Sequence, residues 1–414
     1  IHDRLRQEGY SGGYTQVKEA VRNIKKTNKE VFMPLIHRPG EAQVDFGYAL
    51  ANIGGVLQKI AFFVMSLPHS DAVYVQAYPR ICTEAMWDGH IKAFYFFGGV
   101  PTRITYDNDR ALAAQILGAH TRKLTQGFLR LKSHYLFDTH FCRVRRANEK
   151  GVVESRIRYA RLNFLVPVPT VIDLAELNEQ LVERCVEDLA YRPRGKEASK
   201  GVLLEEDRAA FLPLPAARFD ACRNVSTTAS SLSLVRFDGN DYSVPVRYAH
   251  RPVVVKGFTD RVVICRDNAT VAEHVRLWGR EGVSYDPMHY LPLLERKPGA
   301  LDHARPLEGW SLPACFGELR RRLETEREGD GAREYIRVLR LLEQHSVPAL
   351  RRAVEKGLKL NALSRDAIAQ LLRPRENERK TPFRLDGREH LRGVRVRGAD
   401  VSRYGELLAA GGGS

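Results

Sequence analysis

Three acids in this sequence stand where folding would make them costly. Asp45 falls inside an apolar run, flanked by Val44 and Phe46. A strand there would bury its side chains, and a buried carboxylate is expensive unless it is paired or bound to metal. Asp107 follows the strand-like run 103–106, and Glu154 lies in the first turn of a helix opened by Gly151. On that helix Val153, Ile157 and Ala160 make an apolar stripe, while Glu154, Arg158 and Arg161 recur at i, i+4 and i+7 on the neighbouring face. One face can thus carry a metal ligand and phosphate contacts together. Converging carboxylates suit two Mg²⁺ ions roughly 3.5–4 Å apart, with Mn²⁺ as a substitute. One ion would activate an attacking water or 3′-hydroxyl, and the other would stabilise the leaving oxygen of a phosphodiester. Singly, each acid has a plainer reading: Asp107-Asn108-Asp109 suits a turn, and Glu154 suits a helix-face pair with Arg158. Their joint placement is what carries the argument.

That placement requires a sheet. Strand-like runs at 42–50, 56–66 and 72–78 are separated by the turns Asn52-Ile53-Gly54-Gly55 and Pro68-His69-Ser70. A helical pattern at 83–97, ended by Gly98-Gly99, leads to the strand 103–106. Helices at about 124–134 and 152–164 bracket a strand at 136–142, giving the order βββαβαβα of a mixed sheet with helices on its faces. The segment 1–26 reads as two helices around Gly9-Tyr10-Ser11-Gly12-Gly13, with Val17, Ala20, Val21 and Ile24 on one face. In this helix-turn-helix outline Thr15, Gln16, Lys18, Arg22 and Lys25 are left to meet DNA in a major groove.

The expected domains are a helix-turn-helix segment at 1–36, the catalytic core at 37–191 and a basic linker at 192–228. A small SH3-like barrel follows at 229–280, built from five short alternating runs and the tight turn Asp238-Gly239-Asn240. A helical region at 281–375 and a basic tail at 376–414 complete the chain. Ile1 in place of Met suggests that further residues precede it, and Gly411-Gly412-Gly413-Ser414 reads as an appended linker.

Composition agrees with a polyanionic partner. Lys plus Arg number 65 against 50 Asp plus Glu, a formal charge of +15. Between residues 130 and 161 nine basic side chains face three acidic ones, so Arg143, Arg145, Arg146, Lys150, Arg158 and Arg161 are candidate phosphate contacts, with Lys256 on the barrel. Arg194, Lys196 and Lys200 in the connector, and Arg261 and Arg266 on the barrel, would extend the track. No apolar run approaches the roughly 18 residues of a spanning helix, which sets membrane classes aside. The six cysteines are scattered singly, so a reduced cytoplasmic location is expected, on the bacterial nucleoid if DNA is the partner. His140 and Cys142 alone fall short of a four-ligand zinc site.

Gln43-Val44-Asp45-Phe46, Tyr106-Asp107-Asn108 and Gly151-Val152-Val153-Glu154-Ser155 resemble, in order, the three acidic motifs of retroviral-type integrases and DDE transposases. The aspartates are 62 residues apart and the glutamate follows 47 residues later, wider than the compact integrase spacing, which leaves room for an extra loop near 118–122. Over nearly its full length the chain is similar to the IstA-type transposases of two-gene bacterial insertion sequences. This similarity includes the Gln43–Gly47 run and the ending Asp400-Val401-Ser402-Arg403-Tyr404. The resemblance implies an RNase H-like core whose Asp45, Asp107 and Glu154 bind the metals. It further implies transposon-end and target DNA as substrates, a helper AAA+ ATPase and a homodimer or larger assembly. The chain has no GxxxxGK[ST] loop of its own, in keeping with a separate ATPase. Two other readings remain open. One is a nuclease of the same fold, with Glu84 or Asp88 as its further acid, and the other is a DNA-binding regulator with an inactive core.

Overall fold

A computed structural model describes residues 2–27, 38–106, 113–116, 122–141, 147–327 and 329–373. The chain divides into two compact units, residues 1–289 and 290–414.

Helices α1 (His2–Gln7) and α2 (Tyr14–Thr27) open the first unit. Val17 is buried and Val21 half-buried, but Ala20, expected on the same face, is exposed. The chain then forms an antiparallel meander of β1 (Glu41–Ile53), β2 (Val56–Ser66) and β3 (Val73–Tyr78). Next come α3 (Thr83–Phe97), β4 (Arg103–Tyr106), the paired strands β5 (Ala113–Ile116) and β6 (Arg122–Leu124), and α4 (Gln126–Tyr135). The core closes with β7 (Asp138–Phe141), α5 (Ala147–Phe164), β8 (Thr170–Val171), α6 (Leu174–Asp188) and α7 (Lys200–Ala210). The sheet runs β3-β2-β1-β4-β7, with β4 parallel to β1, β7 parallel to β4, and β8 on the far end of β1. This is the mixed α/β order expected from the sequence. The addition is the β5–β6 pair, which flanks the place where an extra loop was expected. Helix α5 begins five residues earlier than its apolar stripe implied.

Strand β1 sorts its residues by size. Ala42, Val44 and Phe46 face Phe63, α3 and α4, whereas Ala49 and Ala51 pack in the cluster of Phe62, α5 and α6. Gly47 sits on that second face, and a Cβ there would lie 2.3 Å from Phe62 Cζ and 2.9 Å from Ile157 Cγ2. On the opposite layer a Cβ on Gly89 of α3 would lie 2.6 Å from Phe63 Cγ. Each layer therefore approaches the sheet through a residue without a side chain. Helix α3 ends on Gly98 at φ 83°, the left-handed cap anticipated at that position.

Strands β9 (Arg223–Thr228), β10 (Leu234–Phe237), β11 (Asn240–Ser243), β12 (Pro252–Gly257), β13 (Arg261–Arg266), β14 (Ala269–Val275) and β15 (Val283–Ser284) form two sheets, β14-β13-β12-β9 and β10-β11-β15. They enclose a core that includes Val235, Tyr242, Val255 and Ile264. Asp238 and Gly239, at φ 53° and 83°, make the two-residue hairpin between β10 and β11. Residues 223–228, assigned from sequence to the connector, are β9, paired along its whole length with β12. Their alternating polar pattern, Asn224-Val225-Ser226-Thr227, has only one apolar residue to mark it as a strand.

The second unit is helical: α8 (Leu291–Arg296), α9 (Ala314–Glu326), α10 (Gly331–Leu339), α11 (Val347–Leu360) and α12 (Arg365–Leu372). Leu319, Leu323, Val338, Leu350 and Val354, spaced at helical intervals in the sequence, form its core. Buried Glu334 pairs with Arg337 at 3.2 Å and accepts the backbone N–H of Arg365 at 2.8 Å, so one carboxylate joins α10 to the start of α12. The tail assigned to 376–414 lies outside the described residues.

Two outcomes follow from this packing. Gly47→Ala should destabilise the first unit by about 1–3 kcal/mol, the usual cost of overpacking a filled core, measurable as a lower urea midpoint at unchanged slope. His90 is fully enclosed, and burial lowers its pKa from 6.5 to about 4, outweighing the Met86 carbonyl that favours its protonated form. The unfolded chain therefore takes up this proton first, so the stability due to neutral His90 is complete above pH 6.5 and is lost as pH falls toward 4. Between pH 7 and pH 5 the loss should be about 2 kcal/mol, and His90→Gln should flatten that part of the urea-derived stability profile.

Candidate active site

Parallel pairing between β1 and β4 sets Gln43 beside Thr105 and Val44 beside Tyr106. Asp45 is the next residue on one strand and Asp107 the next on the other. Asp107 itself lies outside the described residues. The end of β4 is held from beneath: His90 Nε2 lies 2.8 Å from the Tyr106 hydroxyl, while His90 Nδ1 lies 2.6 Å from the Met86 carbonyl. With the imidazole neutral, Nδ1–H donates to Met86 and Nε2 accepts from Tyr106. Rings of Phe137 and Phe128 pack around the pair.

Asp45 is half-buried and shares the α5-facing side of β1 with Gly47. Its Oδ1 accepts the Phe46 backbone N–H at 2.8 Å. The carboxylate lines a small cleft with Gln43 and Val44 of β1, Val64 and Ser66 of β2, and Arg156 and Ile157 of α5. Register makes Val64 the direct partner of Asp45 and Ser66 that of Gln43. Ile157 closes the cleft at Gly47, and Glu154 lies three residues earlier on the same helix. The side chains of residues 151–155, Glu154 among them, lie outside the described set. Two polar atoms in the cleft, Gln43 Oε1 and Arg156 Nε, are buried without a hydrogen-bond partner among the described residues. Also among the described residues, no group of three or more His, Cys, Asp or Glu side chains is arranged to hold a metal.

The basic residues separate into two sets. Arg158 is exposed; Arg161 is exposed and its Nε donates to the Tyr48 carbonyl at 3.1 Å. Thr15, Gln16, Lys18 and Arg22 are exposed on α2, with Gln16 Oε1 accepting from the Tyr10 hydroxyl at 3.4 Å. Lys256 on β12 is half-exposed, 3.4 Å from Asp220. Arg143, Arg145 and Arg146, with Cys142, lie outside the described residues, as do the side chains of Lys25 and Lys150. The connector lysines differ from expectation. Lys200 is 2% exposed, 2.6 Å from Asp188 and 3.1 Å from the Tyr159 hydroxyl, and burial lowers its pKa. Lys196 is bound to Asp71 at 3.0 Å and to the His69 carbonyl. Both tie the connector to the core, and only Arg194 of that trio stands exposed. Sequence charge cannot separate a lysine that meets solvent from one that meets an aspartate folded beside it.

Both further acids proposed for a nuclease are engaged by other side chains. Asp88 accepts from the Tyr78 hydroxyl at 2.7 Å and pairs with Lys92 at 2.8 Å. Glu84, buried in the first turn of α3, is ion-paired with Arg223 at 3.1 Å and with Arg276 at 3.3 Å. Arg276 also binds Asp238 at 2.9 Å and donates to the Phe258 carbonyl at 2.6 Å, with its guanidinium 4.0 Å from the Trp278 ring centre. Burial opposes the charge of Asp238, but Arg276, Arg80 and Arg223 outweigh it and hold the pKa below the usual value. This buried cluster joins the N-terminus of α3 to the β9–β14 sheet and to the β10–β11 hairpin. Sequence reasoning missed it, because its members are scattered from Arg80 to Arg276.

Residues 214–286 match the family described as Mu transposase, C-terminal domain. A transposase of Aminobacter aminovorans is 33% identical over 98% of this chain and 82% of its own length. The transposase for insertion sequences IS1326/IS1353 of Pseudomonas aeruginosa is 32% identical over 97% of this chain and 81% of its own length. The transposase for insertion sequence element IS21 of the same species is 29% identical over 75% of this chain and 80% of its own length. Among solved structures, the HTLV-2 integrase catalytic core in complex with magnesium is 16% identical over 40% of this chain and 97% of that chain, with a TM-score of 0.29.

Arg276→Met should remove the more buried of the two arginines that bridge Glu84 and Asp238, and should cost about 3 kcal/mol of stability. Thermal or urea unfolding at constant pH measures it.

Proposed function

This chain belongs to the IstA-type transposases of bacterial insertion sequences, and from that premise we propose that it cleaves transposon ends and joins the freed 3′-hydroxyls to target DNA. The observation that carries the proposal is the β1–β4 register. It brings the strand positions just before Asp45 and Asp107 side by side, in a sheet whose α5-facing side opens a cleft at Asp45. Three carboxylates are hard oxygen donors of the kind Mg²⁺ takes, and the half-buried, backbone-oriented Asp45 suits such a ligand. Asp45, Asp107 and Glu154 would hold two Mg²⁺ ions, with Mn²⁺ able to replace them.

When bound, the metals supply activation of the attacking oxygen and stabilisation of the leaving one. The chain's own part is placement. Asp45 is held by the Phe46 N–H, the end of β4 by the His90–Tyr106 hydrogen bond, and α5 by its contact at Gly47. Exposed Arg158 and Arg161, one and two turns beyond Glu154, would take phosphates of the same duplex, with Arg143, Arg145, Arg146 and Lys150 before them. Thr15, Gln16, Lys18, Arg22 and Lys25 would read end DNA in a helix-turn-helix arrangement, and the seven-stranded β domain, SH3-like in our reading, would present Lys256. A helper AAA+ ATPase and a dimeric or larger assembly on bacterial chromosomal DNA complete the proposal. The pairing of Glu84 with Arg223 and of Asp88 with Lys92 favours this reading over a hydrolysis-only nuclease.

The test is joining of a pre-cleaved duplex bearing the element's terminal repeats to a plasmid, in Mg²⁺. Asp45→Asn and Glu154→Gln should each lower joining by about 10³-fold or more while duplex binding stays within about twofold, as expected when a group acts only in the chemical step. Nicking without joining in the parent would return the nuclease, and unchanged joining in either variant would remove that acid from the site.

A further inference from the structure

Helix α5 carries Glu154, and one turn later its Ile157 packs over Gly47 of β1. Ahead of that contact a single described ion pair ties the helix to the sheet's connecting loops. The Arg156 guanidinium binds the carboxylate of Asp71, in the loop between β2 and β3. Neither group is exposed: the side chains retain 22% and 15% of their accessible surface.

The loop is itself tightly bound. Asp71 N–H donates to the Leu67 carbonyl at 2.8 Å, and Leu67 N–H to the Ala72 carbonyl at 2.9 Å. Asp71 adopts φ 62°, a left-handed conformation that aspartate and asparagine accept more readily than most residues. Lys196 holds the second Asp71 oxygen at 3.0 Å, and His69 pairs with Glu206 of α7 at 2.9 Å. Asp207 of the same helix accepts the Gly40 N–H at 2.8 Å, just before β1 begins. The strand bearing Asp45 and the helix bearing Glu154 are thus both referred to α7 and this loop.

We propose that Asp71 is a positioning residue for the transposition chemistry: through Arg156 it fixes the N-terminal half of α5, so that Glu154 is held in register with Asp45. The inference rests on the reading of Asp45 and Glu154 as metal-binding acids. It also assigns Arg156 differently from its neighbours on the helix. Arg158 and Arg161 are exposed, whereas Arg156 lines the cleft and is ion-paired with Asp71, which it shares with Lys196, so it belongs to the frame and not to the phosphate track.

Asp71→Asn is the decisive variant, because asparagine keeps the shape and tolerates the same left-handed backbone while removing the charge. Full-length parent, Asp71→Asn, Arg156→Gln, their double variant, Arg156→Lys and Asp45→Asn would be compared in joining of the pre-cleaved terminal-repeat duplex across a Mg²⁺ titration, alongside duplex binding. Asp71→Asn and Arg156→Gln should each reduce joining roughly 10- to 100-fold, the scale of a small misplacement of reacting groups, and raise the half-maximal Mg²⁺ concentration. Duplex affinity should stay within about twofold. The double variant should be no worse than the worse single one, as for two ends of one interaction. Arg156→Lys, which keeps the charge, should recover most of the joining even where Arg156→Gln folds poorly.

Parental joining and Mg²⁺ requirement in Asp71→Asn would overturn the inference. So would independent, multiplying effects in the double variant, or loss of duplex affinity in Arg156→Gln alone, which would make Arg156 a phosphate contact. If Asp45→Asn abolishes joining while Asp71→Asn joins as the parent does, only the positioning role fails. If Asp45→Asn joins as the parent does, the chemistry proposed above fails and this inference falls with it.

Discussion

A carboxylate in the central strand of a sheet is costly unless it is paired, solvated or bound to metal, and in the first unit the layer over Asp45 parts into a small cleft. Below Asp45 on the same face of β1 come Gly47, Ala49 and Ala51, residues small enough for α5 to lie close against the strand. The closeness ends at the cleft, where Gln43, Asp45 and Arg156 replace apolar contacts. A larger residue at 47 would lift the helix and change the spacing of every group that α5 carries. The other face of the sheet supplies the rigidity this requires, with Phe63, Tyr106, Phe128 and Phe137 packed fully enclosed around His90.

Charge serves two separate purposes in this molecule. An excess of 15 positive charges suits the nucleic-acid partner proposed above, for which the exposed arginines on α5 are candidate contacts. Other cations are consumed internally. Lys196 and Lys200 secure the connector after α6, and Arg276 and Arg223 draw the β domain onto Glu84 at the start of α3. Such buried pairs stabilise only as complete sets, because removing one partner leaves its counter-charge stranded away from water. They specify where the connector and the β domain sit on the core within the first unit. Apolar packing alone would leave that less sharply defined.

Much of the core was legible in one dimension. The strand-like runs 42–50 and 56–66, the helical run 83–97 and its Gly98 stop predicted elements close to those observed, since each depends on residues near one another in the chain and on a backbone conformation only certain residues accept. Asp45 stood out because an ionisable group interrupted an apolar strand. The resemblance of the three acidic motifs belonged to the sequence as well, and the relatives at 32–33% identity bear out the family it pointed to. Strand β9 escaped notice because its residues alternate among small polar types that loops also use.

What the sequence by itself determined was the set of elements, the strand that holds Asp45, and the overall positive charge, all properties of residues near one another in the chain. Only the tertiary structure decided which charges are available. Asp71 and Arg156 are 85 residues apart, and Glu84 and Arg276 are 192 apart, so no local pattern could announce either pair. Whether a cation meets phosphate or an internal carboxylate depends on which distant segment folds against it. That is set by the packing of helices and loops on the sheet, through contacts a linear pattern does not contain.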